Sequence, residues 1–319
     1  MGKIAFIRLL NTCNCKCQMC SVWKRNPEEF ELDKLTNILE TLKSKGYDKI
    51  VFTGGEPTIY SRFDELNKFI KEKGFSFGLI SNGSVIKDRW QSLFSFKEPD
   101  FIIFSLDSFE SEYHDNNRGI LGLHKKVVEA IDFTLTKGVD VVINTVITKN
   151  NFLELEKFSK FTFFKDLTEW QWMPVKFAPE IALGEKEWIE IKKIYDFYLN
   201  RNNTFIPNII STFDFKENTK NFSNLINEKF TQDYYLKNDC NICKKQIFID
   251  IDGSVYRCNS FDTRMGDKVC FGNFNKNSIE ELITKAELKE VFEKPGCVNC
   301  DPRNQRYNQK GIWIETWKN

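Results

Sequence analysis

Four cysteines lie within eight positions near the start of the chain, in the segment NTCNCKCQMC (11–20). Cys17 and Cys20 match half of a zinc knuckle, which needs a second cysteine pair. The same two residues match a redox dithiol, although no thioredoxin-like setting is evident around them. Cys13, Cys17 and Cys20 form a third pattern, C-x3-C-x2-C, with Cys15 as a bystander. Three thiolates on a four-iron cluster leave one iron open for another ligand.

A second group of cysteines lies near the other end of the chain. It contains the alternating segment QIFIDIDGSVYRC, which predicts a hairpin with its turn at Asp252-Gly253. Two cysteine pairs in such a module fit a structural zinc site as well as an iron–sulfur cluster. The six cysteines of this group are Cys240, Cys243, Cys258, Cys270, Cys297 and Cys300.

Composition excludes several classes of protein. The 319 residues carry a net charge of +1 with both signs mixed along the chain, which argues against a nucleic-acid partner. No apolar run is long enough to cross a membrane, so we expect a cytoplasmic protein without a membrane partner. In that compartment ten cysteines indicate metal ligands more than disulfides. The two histidines, His114 and His124, are too few for a histidine-built zinc site.

The first half of the chain alternates strand-like and helix-like segments, which predicts an α/β fold with a parallel sheet. Six such units predict a partial (β/α)6 TIM-like barrel, in which the chemistry lies at the carboxyl ends of the strands. The strand-like runs are 3–10, 49–53, 75–81, 101–106, 139–147 and 170–175. The amphipathic, helix-like stretches between them are 31–46, 63–74, 123–138 and 151–164.

The alternation breaks near residue 180. We therefore expect a barrel over 1–180, a connecting helical segment over 181–239 and a small cysteine-rich domain over 240–319.

The cysteine triad directly after the first strand resembles the signature of the radical S-adenosylmethionine (radical SAM) enzymes. The resemblance implies that Cys13, Cys17 and Cys20 bind a 4Fe-4S cluster whose open iron chelates S-adenosylmethionine. One electron from the cluster then cleaves the cofactor, and the resulting 5′-deoxyadenosyl radical removes a hydrogen atom from the substrate. A flavodoxin- or ferredoxin-type protein is the expected electron donor.

Motifs at later strand ends resemble the segments with which this family holds the methionyl part of the cofactor. The stretch FTGGEPT (52–58) implies that Gly54, Gly55 and Glu56 hold the amine. Glycines at this place also suit a close approach of the backbone. The stretch SLDSFESEYHDNNRG (105–119) implies that Arg118 pairs with the carboxylate, assisted by Ser105, because a guanidinium fork matches a carboxylate.

Two further segments resemble those that meet the nucleoside part. Asn82, in ISNGS, or Asp107, in FSLDS, is expected to bind ribose hydroxyls. The segment INTVIT (143–148) implies that its backbone meets adenine around Val146.

The C-terminal module resembles the SPASM and twitch extensions of radical SAM enzymes. Its C-x9-G-x4-C hairpin implies that Cys243, Cys258, Cys297 and Cys300 bind one auxiliary 4Fe-4S cluster, and Cys240 could replace Cys243. Cys240 and Cys270 are then the spare thiols, and either is a candidate donor of a hydrogen atom to a substrate radical.

The motifs say less about the reaction and the substrate than about the cofactors. An auxiliary cluster that takes an electron from the substrate radical gives dehydrogenation, whereas a thiol that returns a hydrogen atom gives epimerisation. Because only twelve residues precede Cys13, we expect no separate leader-binding domain, which favours a small polar substrate such as a sugar, aminoglycoside or cyclitol. The alternative is a ribosomal peptide or a protein side chain, and the remote alternative is a non-catalytic iron–sulfur or zinc protein.

Overall fold

The computed structural model describes residues 2–175, 178–200, 208–211, 245–256 and 270–287. Within these residues ten strands form one sheet, with helices packed against it. The strands are β1 (Lys3–Arg8), β2 (Tyr47–Thr53), β3 (Ser76–Ser81), β4 (Phe101–Ser105), β5 (Asp140–Ile147), β6 (Glu169–Pro174), β7 (Asn208–Ser211), β8 (Gln246–Ile249), β9 (Ser254–Tyr256) and β10 (Cys270–Asn273). The helices are α1 (Leu32–Ser44), α2 (Phe63–Glu72), α3 (Ile86–Leu93), α4 (Ser111–Arg118), α5 (Leu123–Thr136), α6 (Glu185–Asn200) and α7 (Ile279–Glu287).

The sheet has the order β10-β9-β8-β1-β2-β3-β4-β5-β6-β7, and β1 to β7 are parallel. This confirms the predicted α/β fold of the partial-barrel type. All six predicted strands are present, and β7 adds a seventh parallel strand inside the segment that was expected to be a helical connection.

The C-terminal hairpin extends the same sheet. β8 runs parallel to β1 and antiparallel to β9, and β10 pairs antiparallel with β9. The turn between β8 and β9 is the predicted one, because Gly253 has a φ of +90° that favours glycine there. The sheet is therefore continuous across the expected boundary at residue 240, while the domain limits themselves stay a prediction.

Strand alternation separates two apolar faces of the sheet. Ala5 and Ile7 of β1 belong to the large cluster that the helices cover, whereas Ile4 and Phe6 face the other way. We call the second side the inner face. Its buried apolar residues are Ile4, Phe6, Val51, Phe101, Ile103, Val142, Phe248 and Tyr256.

One predicted helix is wrong. The stretch 151–164 forms two 3-10 segments, Phe152–Lys160 and Phe164–Asp166, instead of one α-helix. Among the described residues, no helix has the length and apolar character needed to cross a membrane.

Candidate active site

The cysteine loop follows β1 at the carboxyl edge of the parallel strands, and hydrogen bonds from two sides fix its backbone. On one side, Leu10 and Thr12 accept hydrogen bonds from the amides of Gly55 (2.7 Å) and Glu56 (3.0 Å). On the other side, the Lys16 amide donates to the carbonyl of Arg118 at the end of α4 (2.9 Å). The end of β2 and the end of α4 therefore hold the loop between them.

The two glycines after β2 permit this close approach. A Cβ added to Gly55 would lie 2.0 Å from the Thr12 carbonyl oxygen, and one added to Gly54 would lie 2.7 Å from that of Leu10. No side chain fits at such distances unless the loop moves. The glycines are thus needed to shape the cysteine loop, and their predicted contact with a methionyl amine stays a prediction.

The three predicted ligands differ in exposure. Cys13 and Cys20 are half-buried, and each sulfur accepts a backbone N–H at 3.4 Å, from Cys15 and Val22 respectively. Cys17 is 7% exposed. Amide N–H groups directed at sulfur are a recurring means of tuning an iron–sulfur cluster, so these surroundings suit thiolate ligands.

Cys15 is buried between its neighbours, where its thiol hydrogen bonds with Cys13 and Cys17. That hydrogen bond lowers the pKa of Cys13 and, together with the Arg118 guanidinium, lowers the pKa of Cys17 to about 6 against the effect of burial. The same contacts raise the pKa of Cys15, and burial raises the pKa of Cys20. The raised pKa keeps Cys15 a neutral thiol beside two predicted ligands, and its role as a bystander stays a prediction.

The donor set fits an iron–sulfur cluster. Among the described residues, no three Cys, His, Asp or Glu side chains form a site for a single metal ion. In a four-iron cluster each thiolate binds its own iron, and soft thiolates are the usual ligands. Cys13, Cys17 and Cys20 are the residues that would hold it.

Glu56 is fully buried and joins the ends of β2 and β3. Its Oε1 accepts hydrogen bonds from the Thr58 amide (3.1 Å), the Thr58 hydroxyl (2.6 Å) and the Ser81 hydroxyl (2.8 Å), and its Oε2 accepts one from the Asn82 amide (2.7 Å). Burial raises the pKa of this carboxyl group, and the four hydrogen bonds oppose that effect. The structure thus gives Glu56 a scaffolding role beside its predicted contact with the amine.

Asp107 and Arg118 form a buried bidentate ion pair. Arg118 donates from Nε to Oδ2 (2.7 Å) and from Nη2 to Oδ1 (2.8 Å), while its Nη1 lies 3.8 Å from the sulfur of Cys17. Asp107 also accepts from Asn117 Nδ2 (2.9 Å) and from the Val146 amide (3.0 Å). Burial acts to raise the pKa of Asp107, but the adjacent guanidinium outweighs it and leaves that pKa lowered. Burial works against the charge of Arg118 too, yet Asp107 leaves its pKa raised.

The residues expected at the nucleoside lie at neighbouring strand ends. Asn82 donates through Nδ2 to Asn14 Oδ1 (2.7 Å) and to Cys15 Sγ (3.1 Å), which ties β3 to the cysteine loop. Val146 also has its carbonyl engaged, by Asn151 Nδ2 (2.9 Å). Ser105 is half-buried at the end of β4. The structure brings all of them to one edge of the sheet, and their contacts with the cofactor stay predictions.

The second cysteine group is described only at Cys270. This residue is half-buried on β10, packs against the inner-face cluster, and donates a hydrogen bond to the Gly272 carbonyl (3.1 Å). The predictions for Cys240, Cys243, Cys258, Cys297 and Cys300 lie outside the described residues.

Sequence reasoning missed polar residues on the inner face. Gln171 Oε1 and Asn144 Oδ1 are buried without a hydrogen-bond partner among the described residues, and Asn144 and Gln171 lie side by side on β5 and β6. Arg8, the last inward-facing residue of β1, contacts the buried Asp250. The signal was present in EWQWM and AFIRL, where Gln171 and Arg8 each lie between two outward apolar residues.

Comparison with known proteins places this site in a family. The model of the radical SAM superfamily matches residues 7–162, and the SPASM iron–sulfur cluster-binding domain matches residues 240–301.

Two relatives illustrate the range of similar sequences. A cysteine-type anaerobic sulfatase-maturating enzyme of Clostridium novyi is 24% identical over 331 residues, covering 91% of this chain and 83% of that protein. An S-adenosylmethionine-dependent nucleotide dehydratase of a Thermoplasmatales archaeon is 28% identical over 151 residues, covering 47% of this chain. The chain matches about half the length of that second protein, 54%.

Solved structures agree on the fold. Native anSMEcpe with bound AdoMet and the Kp18Cys peptide aligns with a TM-score of 0.66 and 20% identity, covering 98% of this chain and 92% of that one. Streptococcus suis SuiB bound to S-adenosylmethionine aligns with a TM-score of 0.66 and 15% identity, covering 92% of this chain and 66% of that one. The chain therefore belongs to the radical SAM superfamily, with a 4Fe-4S cluster and S-adenosylmethionine as its cofactors and a SPASM domain for an auxiliary iron–sulfur cluster.

Proposed function

We propose that this radical SAM enzyme oxidises a side chain of a peptide or protein substrate. The observation that carries the proposal is the extent of the similarity. The sulfatase-maturating relative matches across 91% of the chain, which includes most of the SPASM region, whereas the nucleotide dehydratase matches across 47%. The solved structure that covers 98% of the chain holds a peptide as well as AdoMet.

The cofactors would supply one electron and a 5′-deoxyadenosyl radical that removes a hydrogen atom from the substrate. The chain's own residues position them. The cysteine loop is fixed by the Gly55 and Glu56 amides and by the end of α4, and the Arg118 Nη1 group is directed at Cys17 Sγ. A flavodoxin- or ferredoxin-type protein is the proposed source of the electron.

Dehydrogenation is the proposed outcome, because the substrate radical must lose one electron and one proton. An auxiliary cluster in the SPASM domain would accept the electron, and the proton would pass to solvent. Epimerisation is the competing outcome, and the position of Cys270 against the inner-face cluster supports it. In that case the thiol, which now donates to the Gly272 carbonyl, would return a hydrogen atom to the substrate carbon, and an electron from the auxiliary cluster with a proton from solvent would restore the thiol.

A small polar substrate is the second candidate. The buried side-chain oxygens of Asn144 and Gln171 favour it. They have no hydrogen-bond partner within the described ranges, and two such acceptors on the inner face suit the hydroxyl or amino groups of a sugar or cyclitol.

The test is an anaerobic assay of the reconstituted, dithionite-reduced enzyme with S-adenosylmethionine in heavy water. A synthetic peptide containing serine and cysteine and an aminocyclitol glycoside are the two probes. We expect the peptide to raise 5′-deoxyadenosine formation above the rate without substrate and to become lighter by two hydrogens, without solvent deuterium at carbon. Stimulation by the glycoside alone would show that the peptide proposal is wrong. Deuterium at the product carbon that disappears in Cys270→Ala would establish epimerisation instead.

A further inference from the structure

Arg8 places a guanidinium group on the inner face at the carboxyl end of β1. Strand alternation puts it on the same side as Ile4 and Phe6, and its guanidinium lies over the Phe248 ring at 5.7 Å. The side chain is 13% exposed. A cation this deeply placed needs hydrogen-bond acceptors, because burial of a guanidinium without them is costly.

Within the described part of the chain, Arg8 has fewer hydrogen-bond acceptors than its donor groups require. Its Nε lies 3.2 Å from Asp250 Oδ1 without hydrogen-bond geometry. Among the described residues, the buried Nε and Nη1 of Arg8 have no hydrogen-bond acceptor. Asp250 is fully buried and is shared, because its Oδ2 lies 3.6 Å from Nη1 of Arg25 and its Oδ1 accepts the Ile251 amide at 2.8 Å. The Asp250 carboxylate thus lies between the guanidinium groups of Arg8 and Arg25.

These groups lie beside the cysteine loop. Arg25 is five residues after Cys20, directly beyond the 3-10 segment Val22–Lys24. Arg8 is the last residue of β1, five residues before Cys13. A ligand on Arg8 would therefore lie on the inner face, near the residues that lead into and out of the cysteine loop.

We propose that Arg8, with Arg25 beside it and Asp250 behind it, binds an anionic group of the substrate, a carboxylate or a phosphate. This deepens the proposed function, on which it rests, by requiring that the substrate carry such an anion near the reacting carbon. A peptide supplies it as a C-terminal or acidic side-chain carboxylate, and a phosphorylated small molecule supplies it as phosphate. Asp250 lies beside the guanidinium and competes with the substrate anion for it.

The test uses the reconstituted holoenzyme with S-adenosylmethionine bound and without reductant, titrated calorimetrically with succinate and with inorganic phosphate. We expect one of the two probes to bind in a 1:1 ratio, and the preferred probe identifies the source of the anion.

Arg8→Gln should weaken that binding at least about tenfold, the scale for one hydrogen bond to a charged group. Asp250→Asn should strengthen it, because the competing carboxylate is gone. Arg62→Gln, which removes a half-exposed guanidinium paired with Glu65 on the helical side, should bind like wild type.

The opposite signs of the Arg8 and Asp250 variants separate anion binding from a structural link between β1 and β8, since loss of a link would weaken binding in both. The proposal is overturned if neither probe binds, if Arg8→Gln binds as well as wild type, or if the probe binds only when S-adenosylmethionine is absent. The last result would assign Arg8 to the cofactor's carboxylate. Formation of 5′-deoxyadenosine by the wild-type enzyme after reduction, measured with and without the peptide, tests the proposed function separately, because it reports cofactor cleavage and does not require either probe to bind.

Discussion

Replacing Asp107 by asparagine tests the buried ion pair that supports the cysteine loop. The carboxylate accepts four hydrogen bonds, two from Arg118, one from Asn117 and one from the Val146 amide. An asparagine has nearly the same shape but one oxygen, so two of these donors would face an NH2 group whichever way the amide is turned. Arg118 would then be a buried cation without a counter-ion.

The expected cost is about 3–5 kcal/mol, the scale for removing one partner of a buried ion pair. This free-energy cost is not reduced for screening by water, because the side chains of Asp107 and Arg118 are 0% and 9% exposed. The contribution is complete at neutral pH. The lowered pKa of Asp107 means that it is lost only as the pH falls below the ordinary carboxyl value and through that lowered pKa.

The assay is urea unfolding of the metal-free protein at pH 7 under anaerobic conditions, followed by far-ultraviolet circular dichroism. Asp115→Asn is the matched control. Asp115 is also buried and on α4, but it accepts the backbone amides of Gly122 and His124 (2.7 Å for the latter), so no cation loses its partner. We expect about 1–2 kcal/mol for the control. Equal losses in the two variants would refute the view that Asp107 is needed mainly for the charge of Arg118.

Three further predictions concern the cluster, the loop and a buried histidine. The reconstituted enzyme should hold about eight irons. Joint replacement of Cys13, Cys17 and Cys20 by alanine should leave about four irons and abolish S-adenosylmethionine cleavage. A protein that contains zinc and no labile sulfide would contradict this prediction. Gly55→Ala should displace the loop and reduce the iron content by about four, since its Cβ has no room; a full iron content would show that the loop adapts. Burial lowers the pKa of His114 to about 3, so only the unfolded state takes up a proton as the pH falls below 6.5. Urea titrations at pH 7, 6 and 5 measure the unfolding free energy, which should fall with pH by up to about 1.4 kcal/mol per unit more steeply in the wild type than in His114→Asn. Equal slopes in the two proteins would refute this prediction.

The fold could be predicted where the local pattern permits one interpretation. The parallel strands are short apolar runs bounded by turns, and the C-terminal hairpin has an unambiguous Asp252-Gly253 turn. The failure at 151–164 has a physical reason. Leu155, Phe158, Phe161 and Phe164 recur every three residues, which is the period of a 3-10 helix, and this places Phe158 against Trp170 with ring centroids 4.5 Å apart. The predicted α-helix assumed that these apolar residues recur with a period of 3.6 residues instead of three.

The sequence predicts which chemical groups form the candidate site, but it does not predict which of these groups bond to each other. The sequence predicts that Arg118 meets a carboxylate, and the fold provides one from Asp107, eleven residues earlier. Which carboxylate it meets depends on how β4 and α4 pack, and spacing along the chain does not contain that information. The predicted contact with the methionyl carboxylate would have to use Nη1, the nitrogen that Asp107 leaves available and that now lies near Cys17.

This arrangement indicates where substrate specificity resides. Glu56 and Asp107 are fully buried and each accepts four hydrogen bonds from the protein, so they form a rigid frame around the cysteine loop. The described polar atoms that are buried and still lack partners include those of Arg8, Asn144 and Gln171, and all three residues lie on the inner face. A frame whose hydrogen bonds are satisfied can generate the same radical in many relatives, whereas unsatisfied groups impose a cost that only a complementary ligand relieves. We therefore propose that the frame serves the radical chemistry and that the inner face of β1, β5 and β6 selects the molecule on which the enzyme acts.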